Sequence, residues 1–318
     1  MTRLGFTLSS EEHPPATLVR HAAEAEAAGF DFLSISDHFH PWVDRQGNAP
    51  FVWAVLGAVA EATDSIPVMT GVTCPTTRIH PAIVAQAAAT TACLMPDRFS
   101  LGVGSGENLN EHVLGDRWPS VPIRQERLAE AIEVIRRLWR GDLASHRGEH
   151  FEVENARIYT LPESPPPILV AAAGESSTEL AGRLGDGLVG LAPEASMIEL
   201  FERSGGAGKP AYGQVHVCWD RDEAAAVERA LEWWPNTGVP GNLFVELPLP
   251  AHFEEASQNV GPGEIRDSIV CGPDPERHAA AIREFAEAGF SHVYVHQVGP
   301  PPPGFFEFYA NEVMPRVR

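Results

Sequence analysis

Short apolar runs alternate with longer amphipathic stretches along most of the chain. Residues 3–8, 32–36, 66–72, 99–103, 168–172, 187–191, 213–219 and 293–297 are dominated by apolar, β-branched and aromatic side chains and read as strands. Between and after them, 15–28, 51–63, 82–95, 122–139, 177–184, 195–203, 222–233, 275–288 and 305–313 read as helices. In the longest helical stretch Val121, Leu128, Ile132, Ile135 and Leu138 fall near one face at spacings of three, four and seven. Gly29 closes the first helix, and Pro275 opens a later one.

Eight strands separated by helices predict an α/β fold with a parallel sheet, and eight such units in one chain predict a closed (β/α)8 TIM barrel. A doubly wound open sheet is the main rival, weakened because no glycine-rich dinucleotide fingerprint follows the first strand. The expected organisation is a single barrel domain over 1–318 with insertions at about 141–167 and 235–263. The first insertion, with His146-Arg147-Gly148-Glu149 and the run Pro165-Pro166-Pro167, reads as a hairpin between barrel halves. The second is rich in Pro and Gly with little periodicity, and is expected to be a lid or binding loop.

The chain has 318 residues, 44% of them hydrophobic and 21% charged, which excludes wholesale disorder. Asp and Glu number 43 against 23 Lys and Arg, a net charge of −20. That balance excludes nucleic acid as a partner, since a phosphate backbone needs a basic face, and argues equally against an anionic membrane surface. No basic leader with an apolar run opens the chain and no stretch is long enough to span a bilayer, so a cytoplasmic location is expected. Cys74, Cys93, Cys218 and Cys271 have no metal-type spacing, and their scarcity fits a reducing compartment. An anionic ligand would have to be met locally, by backbone N–H groups and helix N-termini.

In a barrel, reactive residues gather where the strands end. After the second strand come Ser36-Asp37-His38-Phe39-His40-Pro41-Trp42; after the third, Gly71-Val72-Thr73-Cys74-Pro75; after the fourth, Gly104-Ser105-Gly106-Glu107-Asn108; after the fifth, Ala171-Ala172-Ala173-Gly174. The last strand ends in His296-Gln297. Asp37-His38 suits proton transfer, with the carboxylate orienting the imidazole, although the pair could equally only tie down a loop. Glu107 follows glycines that let backbone approach a ligand, and it also fits a helix cap. His38 and His40 have the His-x-His spacing of barrel metal sites, but His296 is the only other strong ligand candidate at a strand end, so no metal is expected. Ala172-Ala173-Gly174 before a helix is a weak anion signal or a plain tight turn. Trp233-Trp234 fits core, with one ring free to line a pocket; His80, His216 and His292, in or beside apolar stretches, read as structural.

Taken in order, Ser-Asp-His-Phe-His-Pro-Trp (36–42), Gly-Val-Thr-Cys-Pro (71–75), Leu-Gly-Val-Gly-Ser-Gly-Glu-Asn-Leu-Asn-Glu (101–111) and Ala-Gly-Arg-Leu-Gly-Asp-Gly (181–187) resemble the luciferase-like flavin and deazaflavin barrel superfamily. They most resemble its branch of F420-dependent glucose-6-phosphate dehydrogenases and their relatives, over nearly the whole chain. The resemblance implies hydride exchange between a small-molecule substrate and C5 of coenzyme F420, a deazaflavin, held where the strands end. It implies His38 as the proton acceptor, Trp42 beside the reacting carbon, Glu107 acting on the cofactor ring or intermediate, Glu11 near the substrate and Trp234 in the pocket. It places cofactor contacts at Asp37, Gly71, Val72, Cys74, Gly104, Ser105, Gly106, Ala172, Ala173 and Gly174, with a cis peptide at Gly71-Val72. It implies a homodimer.

One departure bears on the substrate. The family grips a sugar phosphate with two lysines and an arginine; here the first lysine falls on Glu194, the arginine on Asp267, and the second lysine near Leu243-Phe244, in a region with no lysine after Pro210. Charge-assisted bonds to a phosphate need cations, so glucose-6-phosphate is not the expected substrate, and the apolar run 243–248 suggests a bulkier, more hydrophobic one. Three alternatives stand beside this reading: an FMN-dependent luciferase-like monooxygenase, a metal-dependent hydrolase built on His38 and His40, and a non-catalytic flavin-binding barrel.

Overall fold

The computed structural model describes residues 2–239 and 241–318. Barrel strands β1 (Arg3–Leu8), β2 (Phe32–Ile35), β3 (Val68–Thr70) and β4 (Phe99–Val103) precede a two-stranded hairpin, β5 (Ala144–Arg147) and β6 (Glu152–Ala156). The barrel resumes with β7 (Ile168–Ala171), β8 (Gly187–Gly190) and β9 (Ala211–Cys218); a short β10 (Val270–Cys271) extends β9, and β11 (His292–Gln297) completes the ring. The order β11-β1-β2-β3-β4-β7-β8-β9 is parallel throughout and closes through β9 against β11, giving a (β/α)8 barrel.

Alternation along each strand builds two layers of core. Outward residues such as Val215, Val217, Val293 and Val295 pack under the surrounding helices. Inward residues Phe32, Met69, Leu169, Val189 and Tyr294 fill the barrel itself. Gly5 makes room for that filling: a Cβ there would lie 2.5 Å from the Phe32 ring. The helix Val121–Leu138 buries Leu128, Ile132, Ile135 and Leu138 as its periodicity predicts, whereas Val121, at its first position, projects beyond the core.

Three differences from the sequence reading have simple causes. Strand β3 is shorter than 66–72, because Pro67 has no N–H to pair and the chain turns away after Thr70. The segment 235–263 is not an irregular loop: Leu243–Glu246 and Pro250–Ala256 are helical, followed by Pro262–Ser268, each too short to show a period. They pack Phe253 and Ile265 with Trp42, Leu109 and Trp234 into a second hydrophobic cluster. The turn Asn108–Glu111 is also helical, and it sets several site residues.

Candidate active site

The loops leaving β1, β2 and β4 converge on His38. Its Nε2 lies 3.3 Å from Glu11 Oε1 and 3.7 Å from Glu107 Oε2. Glu11 is buried, and its other oxygen accepts hydrogen bonds from the hydroxyls of Ser36 (2.6 Å) and Ser9 (3.1 Å). Ser36 Oγ in turn accepts the backbone N–H of Ser10 at 2.9 Å, so the carboxylate is fixed by both strands' ends. Asn110 Oδ1 accepts the N–H groups of Phe39 (2.9 Å) and His40 (3.2 Å), which settles the orientation of its amide. Its Nδ2 therefore faces Glu107 Oε2 (3.2 Å) and His38 Nδ1 (3.1 Å).

This environment accommodates each protonation state of the imidazole. With a proton on Nδ1 the ring donates to His40 O at 3.2 Å, the Asn110 amide serves Glu107 alone, and Nε2 is free to take a proton; with the proton on Nε2 instead, Nδ1 accepts from Asn110 Nδ2. With both nitrogens protonated, the charge sits between Glu11 and Glu107. Enclosure pushes the Glu107 carboxyl above its ordinary range, against the pull of a charged His38.

Asp37 does not do what adjacency suggested. Successive residues point apart, and its carboxylate accepts from Thr73 Oγ1 (2.8 Å) and pairs with Arg78 Nη2 (3.0 Å), away from His38. The carboxylates that face His38 are Glu11 and Glu107. Arg78 is shared with fully buried Glu111, whose Oε2 accepts the Arg78 N–H at 2.8 Å and whose Oε1 has no hydrogen-bond partner. Burial, only partly offset by Arg78, pushes Glu111 up to about 7. Cys74 lies beside this group; burial first, then the Glu111 charge, raises its thiol far above the ordinary value.

Aromatic rings close the mouth. Trp42 lies 5.0 Å from the His38 ring, with Phe244 at 4.2 Å and Phe253 at 5.2 Å from Trp42. The segment bearing Phe244 is tied down where Asn108 Nδ2 donates to Glu246 O (2.8 Å) and Arg124 meets the Glu246 carboxylate (3.5 Å). Trp234, of the same cluster, packs edge-on against His296 at 4.5 Å.

The floor lies at the ends of β3, β4 and β7. The Gly71-Val72 peptide is cis. A Cβ on Gly104 would meet Val72 Cγ2 at 2.8 Å, Ala171 Cβ at 3.7 Å and Cys74 Sγ at 3.8 Å, so these residues form one tight surface that only glycine completes. Ser105 and Gly106 are partly exposed beside it. Beyond Ala172, the N–H groups of Ala173 and Gly174 share the Ser177 hydroxyl at 3.2 Å each, and the space where a Gly174 Cβ would stand is open. Nearby, buried Thr76 Oγ1 and Arg127 Nε have no partner. A floor of small side chains around a glycine, leading to open backbone at Ala173 and Gly174, suits a planar ring system with a polar tail.

His40 turns away from His38, its Nδ1 resting on Leu109 O at 2.9 Å, and no group of three metal-ligating side chains occurs among the described residues. His80 caps the helix Pro81–Leu94, and His292 stacks on Tyr212, both structural as read. His216 has its Nδ1 2.9 Å from His296 Nδ1, and His296 Nε2 meets buried Glu12 at 2.6 Å. Ser36 and Asn110 lie inside motifs the sequence offered but carried no role there, and Glu12 had no signal beyond standing next to Glu11. The single lysine of the chain, Lys209, is spent on the carbonyls of Gly182 and Gly185, while Glu194 and Asp267 are exposed.

A parallel barrel with an imidazole between carboxylates at the C-terminal mouth is the architecture of a barrel enzyme. The luciferase-like monooxygenase family model matches residues 1–292, and the chain belongs to that family. It is 36% identical over its full length to the F420-dependent glucose-6-phosphate dehydrogenase of Beutenbergia cavernae, covering 98% of that protein. It is 37% identical to the F420-dependent hydroxymycolic acid dehydrogenase of Mycobacterium tuberculosis, with 99% of this chain and 88% of the relative covered. Among solved structures, an F420-dependent secondary alcohol dehydrogenase in complex with an F420-acetone adduct superposes with a TM-score of 0.92 at 31% identity, covering 100% of this chain and 99% of the other.

Proposed function

We propose that this chain, an F420-dependent oxidoreductase, interconverts a neutral secondary alcohol and its ketone, with glucose-6-phosphate a poor substrate. The observation that carries the reading is His38 Nε2 held within 3.3 and 3.7 Å of two carboxylates at the mouth of the barrel. When bound, coenzyme F420 supplies C5 of its deazaflavin as the partner in hydride transfer. Gly71, Val72, Cys74 and Gly104 would carry the ring system, with Asp37, Ser105 and Gly106 at its edge. Ala172, Ala173 and Gly174 would border the tail.

The chain's own residues handle the proton. With Nδ1–H donating to His40 O, His38 Nε2 accepts the hydroxyl proton as the alcohol is oxidised; in the reverse direction the imidazolium returns it. Glu11 and Glu107 stabilise that imidazolium, and Asn110 holds Glu107 and, through the N–H groups of Phe39 and His40, the loop that carries the ring. Trp42 and Phe244 exclude water and present an apolar wall to the substrate's carbon chain. A phosphate dianion would meet Glu194 and Asp267 at the positions where the family resemblance implies cations.

The test is turnover with F420 saturating, compared between glucose-6-phosphate and a series of neutral secondary alcohols. Faster turnover of the alcohols supports the reading; comparable turnover of the sugar phosphate contradicts it.

A further inference from the structure

The mouth carries a second set of titratable groups that the mechanism above does not use. Glu11 and Glu12 are consecutive, yet Glu11 faces His38 while Glu12 faces the opposite wall. There the Glu12 carboxylate binds His296 Nε2 at 2.6 Å and accepts the Gly299 N–H at 2.6 Å. Burial works against its ionisation, but the charge of His296 and these bonds prevail and hold it below its ordinary value. His296 and His216 are register partners on β11 and β9, both on the inner face, with their Nδ1 atoms 2.9 Å apart. One proton must lie between those nitrogens. Burial, then the charge of His296, pushes His216 down to about 3, so the ring remains neutral. Its remaining nitrogen, Nε2, has no hydrogen-bond partner among the described residues, and the residue is partly exposed.

We propose that His216, oriented by His296 and Glu12, binds a second hydroxyl of the substrate, so that the preferred substrates are diols or polyols rather than simple secondary alcohols. This rests on the alcohol/ketone reading above. If the shared proton sits on His216 Nδ1, Nε2 presents a lone pair; if it sits on His296, Nε2 presents an N–H. A hydroxyl is both donor and acceptor and satisfies either state, whereas a carbonyl satisfies one. A substrate that is apolar at this point strips water from Nε2 and replaces it with nothing, a loss of roughly tenfold in affinity. His216 is the binding group; His296 and Glu12 are positioning residues.

The experiment measures equilibrium binding of 2-hexanol and of hexane-2,3-, 2,4- and 2,5-diol to the F420-loaded protein by calorimetry. At least one diol is expected to bind about tenfold tighter than 2-hexanol. His216→Phe abolishes that preference and tightens 2-hexanol binding, because no polar nitrogen is left stripped of water, while His216→Gln, which keeps a donor and an acceptor, retains most of it. Glu12→Gln weakens the preference and moves the 15N resonance of His216 Nε2, which a purely structural role for Glu12 would leave in place. A wild-type protein that binds every diol no better than 2-hexanol, or a preference that survives His216→Phe, overturns the proposal. Because the readout is binding, failure of hydride transfer would count against the alcohol/ketone reading alone.

Discussion

Glu111 offers a quantitative test of the buried network beneath the site. Its side chain is fully buried, one carboxylate oxygen has no hydrogen bond and lies 3.6 Å from Arg78 Nε, and burial lifts it from 4.5 to about 7 despite Arg78. An acid raised in the folded state holds its proton there after the unfolded chain has released its own. The resulting stabilisation is complete below pH 4.5 and is lost as pH rises through about 7. At about 1.4 kcal/mol per pH unit between those values, the loss is on the order of 3 kcal/mol. Wild type and Glu111→Gln should therefore be compared by urea denaturation at pH 5, 6, 7 and 8. Buried neutral histidines such as His21 and His278 titrate in both proteins and cancel in the difference. The glutamine variant should gain about 3 kcal/mol on wild type from pH 5 to pH 8. A stability gap that stays constant over that range would refute the assignment of a raised Glu111.

The remaining predictions concern the site itself. Gly104→Ala puts a methyl 2.8 Å from Val72 Cγ2 and should weaken F420 binding at least tenfold in a fluorescence titration while shifting the melting temperature by only a few degrees; unchanged affinity would remove Gly104 from the cofactor floor. Phe244→Ala removes the ring 4.2 Å from Trp42 and should raise KM for apolar secondary alcohols by about 2- to 10-fold with kcat little changed, in steady-state assays. Ser36→Ala deletes the 2.6 Å bond to Glu11 and should lower kcat more than it raises KM, because it loosens the carboxylate that stabilises protonated His38; a change in KM alone would contradict that role.

The barrel was legible because its signal is local. Strands 3–8 and 99–103 were bounded correctly from apolar runs alone, and the alternation of strand and helix forces a parallel ring. The residues around His38 were named for a different reason: their motifs resemble those of a known family. What the sequence could not show was direction. Asp37 and His38 are neighbours in the chain, but side chains of successive residues diverge, and the carboxylates that meet His38 come from loops 27 positions before it and 69 positions after it. His216 and His296 read as separate histidines because only closure of β9 against β11 sets them side by side. The cap over 243–268 was hidden because its helices are shorter than two turns, so their apolar residues show no period.

The central claim is that this barrel moves a hydride between a neutral alcohol and F420 with His38 as proton acceptor. It is tested most directly by mixing the F420-loaded protein with a secondary alcohol and following the visible absorbance of the deazaflavin, for wild type and His38→Ala in parallel with an FMN titration. The account predicts rapid bleaching by wild type, a rate lower by about 10²- to 10⁴-fold in His38→Ala with F420 affinity retained, and no tight binding of FMN. Tight FMN binding without F420 binding, or a His38→Ala protein that bleaches at the wild-type rate, would contradict it.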